Sequence, residues 1–439
     1  MKAPTESRAR IVELAAFWAV LITAAVVPLL MDLGNYDESY YGIKARNLAA
    51  MAVVLALTLI AGRRRARSPI DGPLLIYAGA VIAATTLSVA PVWSLWGAPN
   101  RFEGAIPMLS YAIIAAAAAR LSVPRIRTLV AAMLIAGVIA AGYGIIQYFG
   151  IDPVLRDPGR LGWTRAFSTT GGPNWLGGYM LMLLPLGAAV ALAAPDMKLA
   201  IPYTAGVVVM FAALLATESR SAWAGTIIAA CLLVGMARHF SRDLPPGLNR
   251  RIALVATPLA IVAGLFFLPG GPAAGRGEMG SMAARVQDVT LDTQGMAERK
   301  ALWTPTAELL ARRPVFGYGP DTFRLVFPQT WTEQWQRLKG PTPLIIDRAH
   351  NQLLDLGMSI GLVGVAGYLW AVLSLWRAAW RASIADQRGA LLLAACLAGV
   401  TGYLAQIQWQ FSVVSVAPVY WTLLGVGAAL ATVKQDTTG

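Results

Sequence analysis

Ile345-Ile346-Asp347-Arg348-Ala349-His350-Asn351-Gln352-Leu353-Leu354-Asp355-Leu356-Gly357 closes a long polar stretch and runs straight into an apolar segment that ends near Trp376. About 20 mostly apolar residues let a helix cross a bilayer, so the second half of this stretch reads as the start of a transmembrane helix. The first half sets an acid, an arginine and one of the chain's two histidines at its boundary. A titratable cluster at a membrane boundary is where chemistry is expected.

The flanking sequence repeats the apolar signal. With 57% hydrophobic and 13% charged residues in 439, the chain is too apolar for a set of soluble domains. Twelve segments are long and apolar enough to be spans, near 11–31, 47–62, 70–90, 105–119, 128–149, 174–194, 199–217, 222–237, 252–268, 352–376, 389–408 and 413–432. The expected architecture is an all-α polytopic membrane protein of about twelve helices. Residues 1–268 hold spans one to nine, 269–351 form a partly helical outer insertion, and 352–439 hold spans ten to twelve with a tail.

Lys and Arg collect in alternate short connections: Lys2, Arg8 and Arg10, then Arg63–Arg65 and Arg67, Arg120, Arg125, Arg127, Lys198, Arg238, Arg250, Arg251, Arg377, Arg381 and Arg388. The positive-inside rule puts these in the cytoplasm, both termini with them, and the insertion outside. The net charge of +13 is thus mostly a topology signal, and no nucleic-acid partner is expected. No cleavable signal is expected, because the first apolar run is long and lacks a small-residue cleavage site. Cys231 and Cys396 fall inside spans and read as buried free thiols, with no metal-binding spacing around them.

Several outer connections carry residues suited to anions. Arg101 follows the tryptophan-bearing loop at 91–100. The run Gly171-Gly172-Pro173-Asn174 is either a turn that caps the next helix or a place where backbone approaches a ligand. Glu218-Ser219-Arg220-Ser221 joins two spans so tightly that Arg220 is held at the membrane surface, paired with Glu218 or bound to phosphate.

The insertion contains an amphipathic helix with Trp303, Ala307 and Leu310 on one face, lying on the membrane or on the bundle. Pro305 either opens or kinks it. A Gly-rich turn from Phe316 to Phe323 and an aromatic and basic stretch from Pro328 to Leu338 follow.

Together, Ser219-Arg220-Ser221, Arg299-x-x-x-Trp303 with Pro314-x-x-Gly317-x-Gly319-x-x-x-Phe323, and Asp347-x-x-His350-Asn351-x-x-Leu354 resemble the O-antigen ligase family of bacterial membrane glycosyltransferases. Asn174 and Arg101 match less distinctively. The resemblance covers the chain from about residue 90 onward, and Pro305 and the paired glycines depart from it. It implies a GT-C-like fold. It also implies transfer of a polysaccharide from an undecaprenyl-pyrophosphate donor to a lipid A-core acceptor, at the periplasmic face of the inner membrane. Polysaccharide polymerases and protein O-oligosaccharyltransferases of the same sequence family share the donor.

The chemistry of the residues agrees with that donor. A sugar leaving as lipid pyrophosphate builds negative charge that arginine guanidinium groups stabilise through forked hydrogen bonds. A metal could do the same, but the outer loops have no Asp-x-Asp pair, so a metal-independent site without cofactor is expected. The attacking hydroxyl needs a base, and His350 is the outer histidine.

The expected catalytic residues are therefore His350, Arg220 and Arg299, with Arg348, Asn351, Asp347, Asn174, Arg101, Tyr318, Gly319 and Trp303 binding substrate. If Asp347 caps span ten, His350 sits in its first turn, where the helix dipole disfavours imidazolium and free amides suit phosphate. A lipid-linked-sugar flippase is the non-enzymatic alternative. It would need polar groups through the membrane depth, usually on broken helices, whereas here the outward charges crowd one face and the span interiors are nearly charge-free apart from Glu13 and Asp355 near the ends.

Overall fold

The computed structural model describes residues 4–33, 40–62, 67–99, 101–152, 154, 165–240, 248–268, 293–327, 346–382, 384 and 386–432. The aromatic and basic stretch from Pro328 to Leu338 lies outside them. The helices are α1 (Pro4–Leu21), α2 (Gly42–Ala61), α3 (Asp71–Thr86), α4 (Pro91–Trp96), α5 (Ala105–Ala118), α6 (Val123–Tyr148), α7 (Pro173–Leu192), α8 (Met197–Ala216), α9 (Arg220–Phe240), α10 (Leu248–Phe267), α11 (Thr293–Arg312), α12 (Phe323–Val326), α13 (Gln352–Trp380), α14 (Gln387–Gln406) and α15 (Ala417–Thr432). Among the described residues nine segments are long and apolar enough to span, and the shorter apolar α3, α5 and α15 match the other three expected segments. The protein is an all-α, multi-pass membrane protein.

Starts and ends of the spans alternate, so the bundle has two distinct ends. Asp71–Arg120, Glu13–Arg125 and Asp386–Arg127 ion pairs, with N to O distances of 2.8, 3.0 and 2.6 Å, tie helices together at one end. The turn at 217–220, the start of α13 and the 407–416 connection lie at the other. In the middle, α14 packs between α7, α9 and α15. A Cβ on Gly225 would lie 2.7 Å from the Gly402 carbonyl oxygen, so α9 and α14 meet backbone to backbone, a contact only small residues allow. Cys396 is buried there, but Cys231 is exposed on the outer side of α9, contrary to expectation.

The tenth span is not continuous. Gly361, at φ +69° and ψ −179°, breaks α13 into two helices, a conformation that glycine adopts without Cβ strain. The segment just after α11 fills the break. Leu362 and Val363 N–H donate to the Pro314 and Val315 carbonyls (2.7 and 3.4 Å), and Tyr318 and Gly319 N–H donate to Met358 and Ser359 (2.7 and 3.1 Å). Irregular backbone at membrane depth persists where protein satisfies its polar groups, and here it does.

The long helix of the insertion lies on the bundle, with Leu310 against Gly357 of α13. Its buried face is Leu302, Pro305, Thr306 and Leu309, while Ala307 is exposed, so the expected Trp303–Ala307–Leu310 stripe is rotated from the true one. Pro305 lies inside α11 and neither opens nor ends it. Leu302, Leu309, Tyr318, Phe323, Ile346 and Met358 close a second small core under the insertion.

Candidate functional site

The start of α13 organises the site. Asn351, not Asp347, is its N-cap: the Asn351 side-chain oxygen accepts from Leu353 and Leu354 N–H at 3.0 and 3.1 Å. Gln352 N–H donates to the Ile407 carbonyl and Asp355 N–H to that of Asn351, so the first four amides are taken within the protein. The expected phosphate site on a free helix end is therefore absent. His350 sits one residue outside the cap, at φ +54°.

Its neighbours hold it there. Ala349 N–H donates to Asp355 Oδ1 at 2.7 Å, and the Ala349 carbonyl accepts from Trp303 Nε1 at 2.9 Å. Asn351 Nδ2 donates to the Gln408 carbonyl, and Gln352 accepts from Ser412 N–H. These bonds bind the 407–416 connection to the 349–352 segment, and that connection brings two aromatic rings. Phe411 stands edge-on to His350 with centroids 5.2 Å apart, and Trp409 lies 5.9 Å from Trp303.

Four arginines bear on this cluster, in different ways. Arg299 is half-buried, its guanidinium 5.2 Å from the centre of the Trp409 ring. Arg101 lies 5.3 Å from the Phe411 ring and bonds Asp347 at 2.6 Å. Arg348 is 5.8 Å from the same ring but is almost fully buried, in a 2.5 Å ion pair with the equally buried Asp321. Asp321 also accepts from Ala98 N–H, fastening the loop before α5. Arg348 thus has its charge matched by a carboxylate inside the protein.

Arg220 opens α9. Its hairpin is fixed by Ser219 Oγ donating to Asn174 Oδ1 at 2.8 Å and by Arg165, which donates to the Thr217 carbonyl and to Asn174. The next residue, Trp175, packs edge-on against Phe411 at 5.9 Å. A continuous run of contacts therefore joins the Arg220 hairpin to His350.

Other expected ligands have structural partners. Asn351 and Asn174 make the bonds above, Asp347 holds Arg101, and Trp303 supports the His350 backbone. Tyr318 donates its hydroxyl to the Leu309 carbonyl, and a Cβ on Gly319 would strike Ser88; both serve the joint between the insertion and α13. Trp409 and Phe411 were missed because aromatic residues at a span end read as membrane-interface anchors.

Burial pushes the His350 imidazole below its ordinary pKa, and Arg101, Arg299 and Arg348 push it further down, opposed by Asp347. These effects favour the neutral form of the imidazole. Burial raises Glu103 to about 8, opposed by Arg348 and helped by Asp321. Glu103, Arg348, Gln352 and Asp355 line a pocket with Tyr111, Tyr403 and Tyr420, enclosing about 580 Å3 of non-atom space including its mouth.

No curated protein matches the chain. Residues 205–369 match the family described as O-antigen ligase, whose members are glycosyltransferase-like enzymes of O-antigen or glycan assembly. Arg101, Asn174, Trp409 and Phe411 lie outside that match and are joined to it by the contacts just described. Residues 205–369, which hold Arg220, Arg299 and His350, are thus similar to the O-antigen ligase family.

Proposed function

We propose that the protein is an O-antigen ligase that transfers a polysaccharide from undecaprenyl pyrophosphate to a hydroxyl of the lipid A-core oligosaccharide, at the periplasmic face of the inner membrane and without a metal ion. The acceptor oxygen attacks the anomeric carbon, the bond from that carbon to the pyrophosphate oxygen breaks, and the hydroxyl proton passes to His350. Arg299 and Arg220 stabilise the charge that builds on the departing pyrophosphate. Asn351, Trp303 and Phe411 position the imidazole, and Asp347 and Arg101 frame it.

The observation that carries this reading is His350 itself, its neutral form favoured, just outside a helix cap, among Arg101, Arg299 and Arg348 and against Phe411, within the family-matched segment. A flippase would use the free backbone ends of a broken span as its substrate or ion site. Here the broken ends of α13 bond to residues 314–319 of the chain itself, which favours a one-sided enzyme.

Deleting the gene and examining surface lipopolysaccharide together with lipid-linked polymer tests the acceptor. Core lipopolysaccharide without polymer, while full-length polymer accumulates on the lipid carrier, is expected. Shortened polymer would indicate a polymerase, and lost protein glycosylation with normal lipopolysaccharide an oligosaccharyltransferase.

A further inference from the structure

At the end of the bundle away from His350, α6, α8 and α14 begin and α7 ends around a groove enclosing about 780 Å3 of non-atom space, its open side included. Three helical stripes form its walls. On α6, Val130, Ala131 and Leu134 follow Arg127 by three, four and seven residues. On α14, Leu392 follows Arg388 by four, and on α8, Tyr203 follows Leu199 by four. Such spacings keep each set on one helix face.

Arg388 stands in the first turn of α14 and Arg127 at the start of the second turn of α6, both near this end of the bundle, and each stripe turns apolar from there. Among the described residues they are the only charged ones lining the groove. Arg127 is held over the mouth by Asp386, which does not line the groove and whose carboxylate also caps α14 by accepting from Arg388 and Gly389 N–H. The wall is open to the membrane side, where Leu199 is 48% exposed. Small residues at the α7–α8 turn, Ala193 and Ala194, leave the space between the helices unfilled.

We propose that this groove binds a phospholipid with an anionic headgroup, its phosphate on the Arg127 and Arg388 guanidinium groups and an acyl chain along Val130, Leu134 and Leu392. The sequence of the walls, cationic at the boundary and hydrocarbon below, is the complement of such a lipid. Basic pockets between transmembrane helices hold anionic headgroups by this pairing. A zwitterionic lipid brings the same phosphate but sets its own cation beside the two guanidinium groups. A free anion reaches the arginines but leaves the apolar walls uncovered. The site lies at the opposite end of the bundle from the His350 cluster and is independent of the glycosyl transfer proposed above.

The test compares the thermal unfolding midpoint of the purified full chain in neutral detergent with added phosphatidylglycerol, phosphatidylcholine or inorganic phosphate. Phosphatidylglycerol is expected to raise the wild-type midpoint by a few degrees, with little change from the other two. The increment should fall by at least half in Arg388→Gln, which leaves the Arg127–Asp386 pair intact. It should fall likewise in Ala131→Trp, which fills the partly exposed groove and keeps both arginines. Native mass spectrometry of the same samples should show retained phosphatidylglycerol on the wild type and its loss from both variants, a readout that stands even where a variant has a lower basal midpoint. Equal retention by wild type and both variants would overturn the proposal. So would equal increments from the two lipids, or reproduction of the effect by inorganic phosphate.

Discussion

The imidazole of His350 stands edge-on to the ring of Phe411, centroids 5.2 Å apart with 65° between planes, and the guanidinium groups of Arg101 and Arg348 lie 5.3 and 5.8 Å from that same ring. One phenyl ring thus lies against the imidazole and two guanidinium groups at once. The arrangement makes the base role of His350 open to direct measurement.

His350→Asn should abolish transfer while leaving protein level and donor binding near wild type, because asparagine tolerates the positive φ of this position but accepts no proton at neutral pH. Near-normal turnover in the purified variant would remove His350 from the base role. In the wild type, kcat/KM should hold its plateau to a pH below the ordinary histidine pKa, since burial and three arginines lower this one. The sign for stability is the same: the unfolded chain takes up a proton near the ordinary value and the folded chain only below it, so the contribution is present above that value and lost as pH falls.

Arg220→Lys and Arg299→Lys should each lower kcat by roughly a hundredfold, the scale of losing a transition-state donor. Lysine keeps the charge and loses the planar fork. Two active lysine variants would mean that generic charge suffices.

Arg348 should behave as a strut. Asp321→Asn leaves a buried guanidinium unmatched and should cost about 3–5 kcal/mol, read as a lower midpoint in detergent, whereas the double variant Arg348→Met/Asp321→Asn, which keeps an acceptor for Ala98 N–H at a positive φ, should recover much of it. A full-stability Asp321→Asn protein that loses donor affinity would return Arg348 to the substrate.

Gly361→Ala should fail to accumulate as folded protein, because the added carbon would fall 2.0 Å from the Val315 carbonyl oxygen at a positive φ. Gly79→Ala, whose carbon would meet nothing within 4 Å, serves as the control and should express normally.

Chelation should leave turnover unchanged, and the reading fails if EDTA stops the purified enzyme and magnesium or manganese restores it. Asp347 and Asp355 would then be the first residues to test as ligands.

The spans were legible because the bilayer demands length and apolarity, and each of the twelve expected segments coincides with a helix. The break in α13 was not, since Ile360-Gly361-Leu362 looks like any small residue in an apolar run; only the distant segment at 314–319 makes it a break. Asp347 and Asn351 are both good caps four residues apart, and the choice between them rests on the Gln408 carbonyl, which pattern reading cannot bring near. Of the candidate site, His350, Arg299 and Arg220 were singled out by residue type together with the family motifs. The aromatic floor from Trp409 and Phe411 was not, because it comes from the far side of α14.

The pairing of residues 314–319 with both sides of the α13 break has a consequence for how the parts of the candidate site stay aligned. The helix α11, which carries Arg299, runs directly into the segment that fills the break, and α13 begins two residues after His350. The break therefore works as a clasp: a slide of α11 along the bundle would have to unfasten the bonds from Tyr318, Gly319, Leu362 and Val363 before Arg299 could draw away from His350.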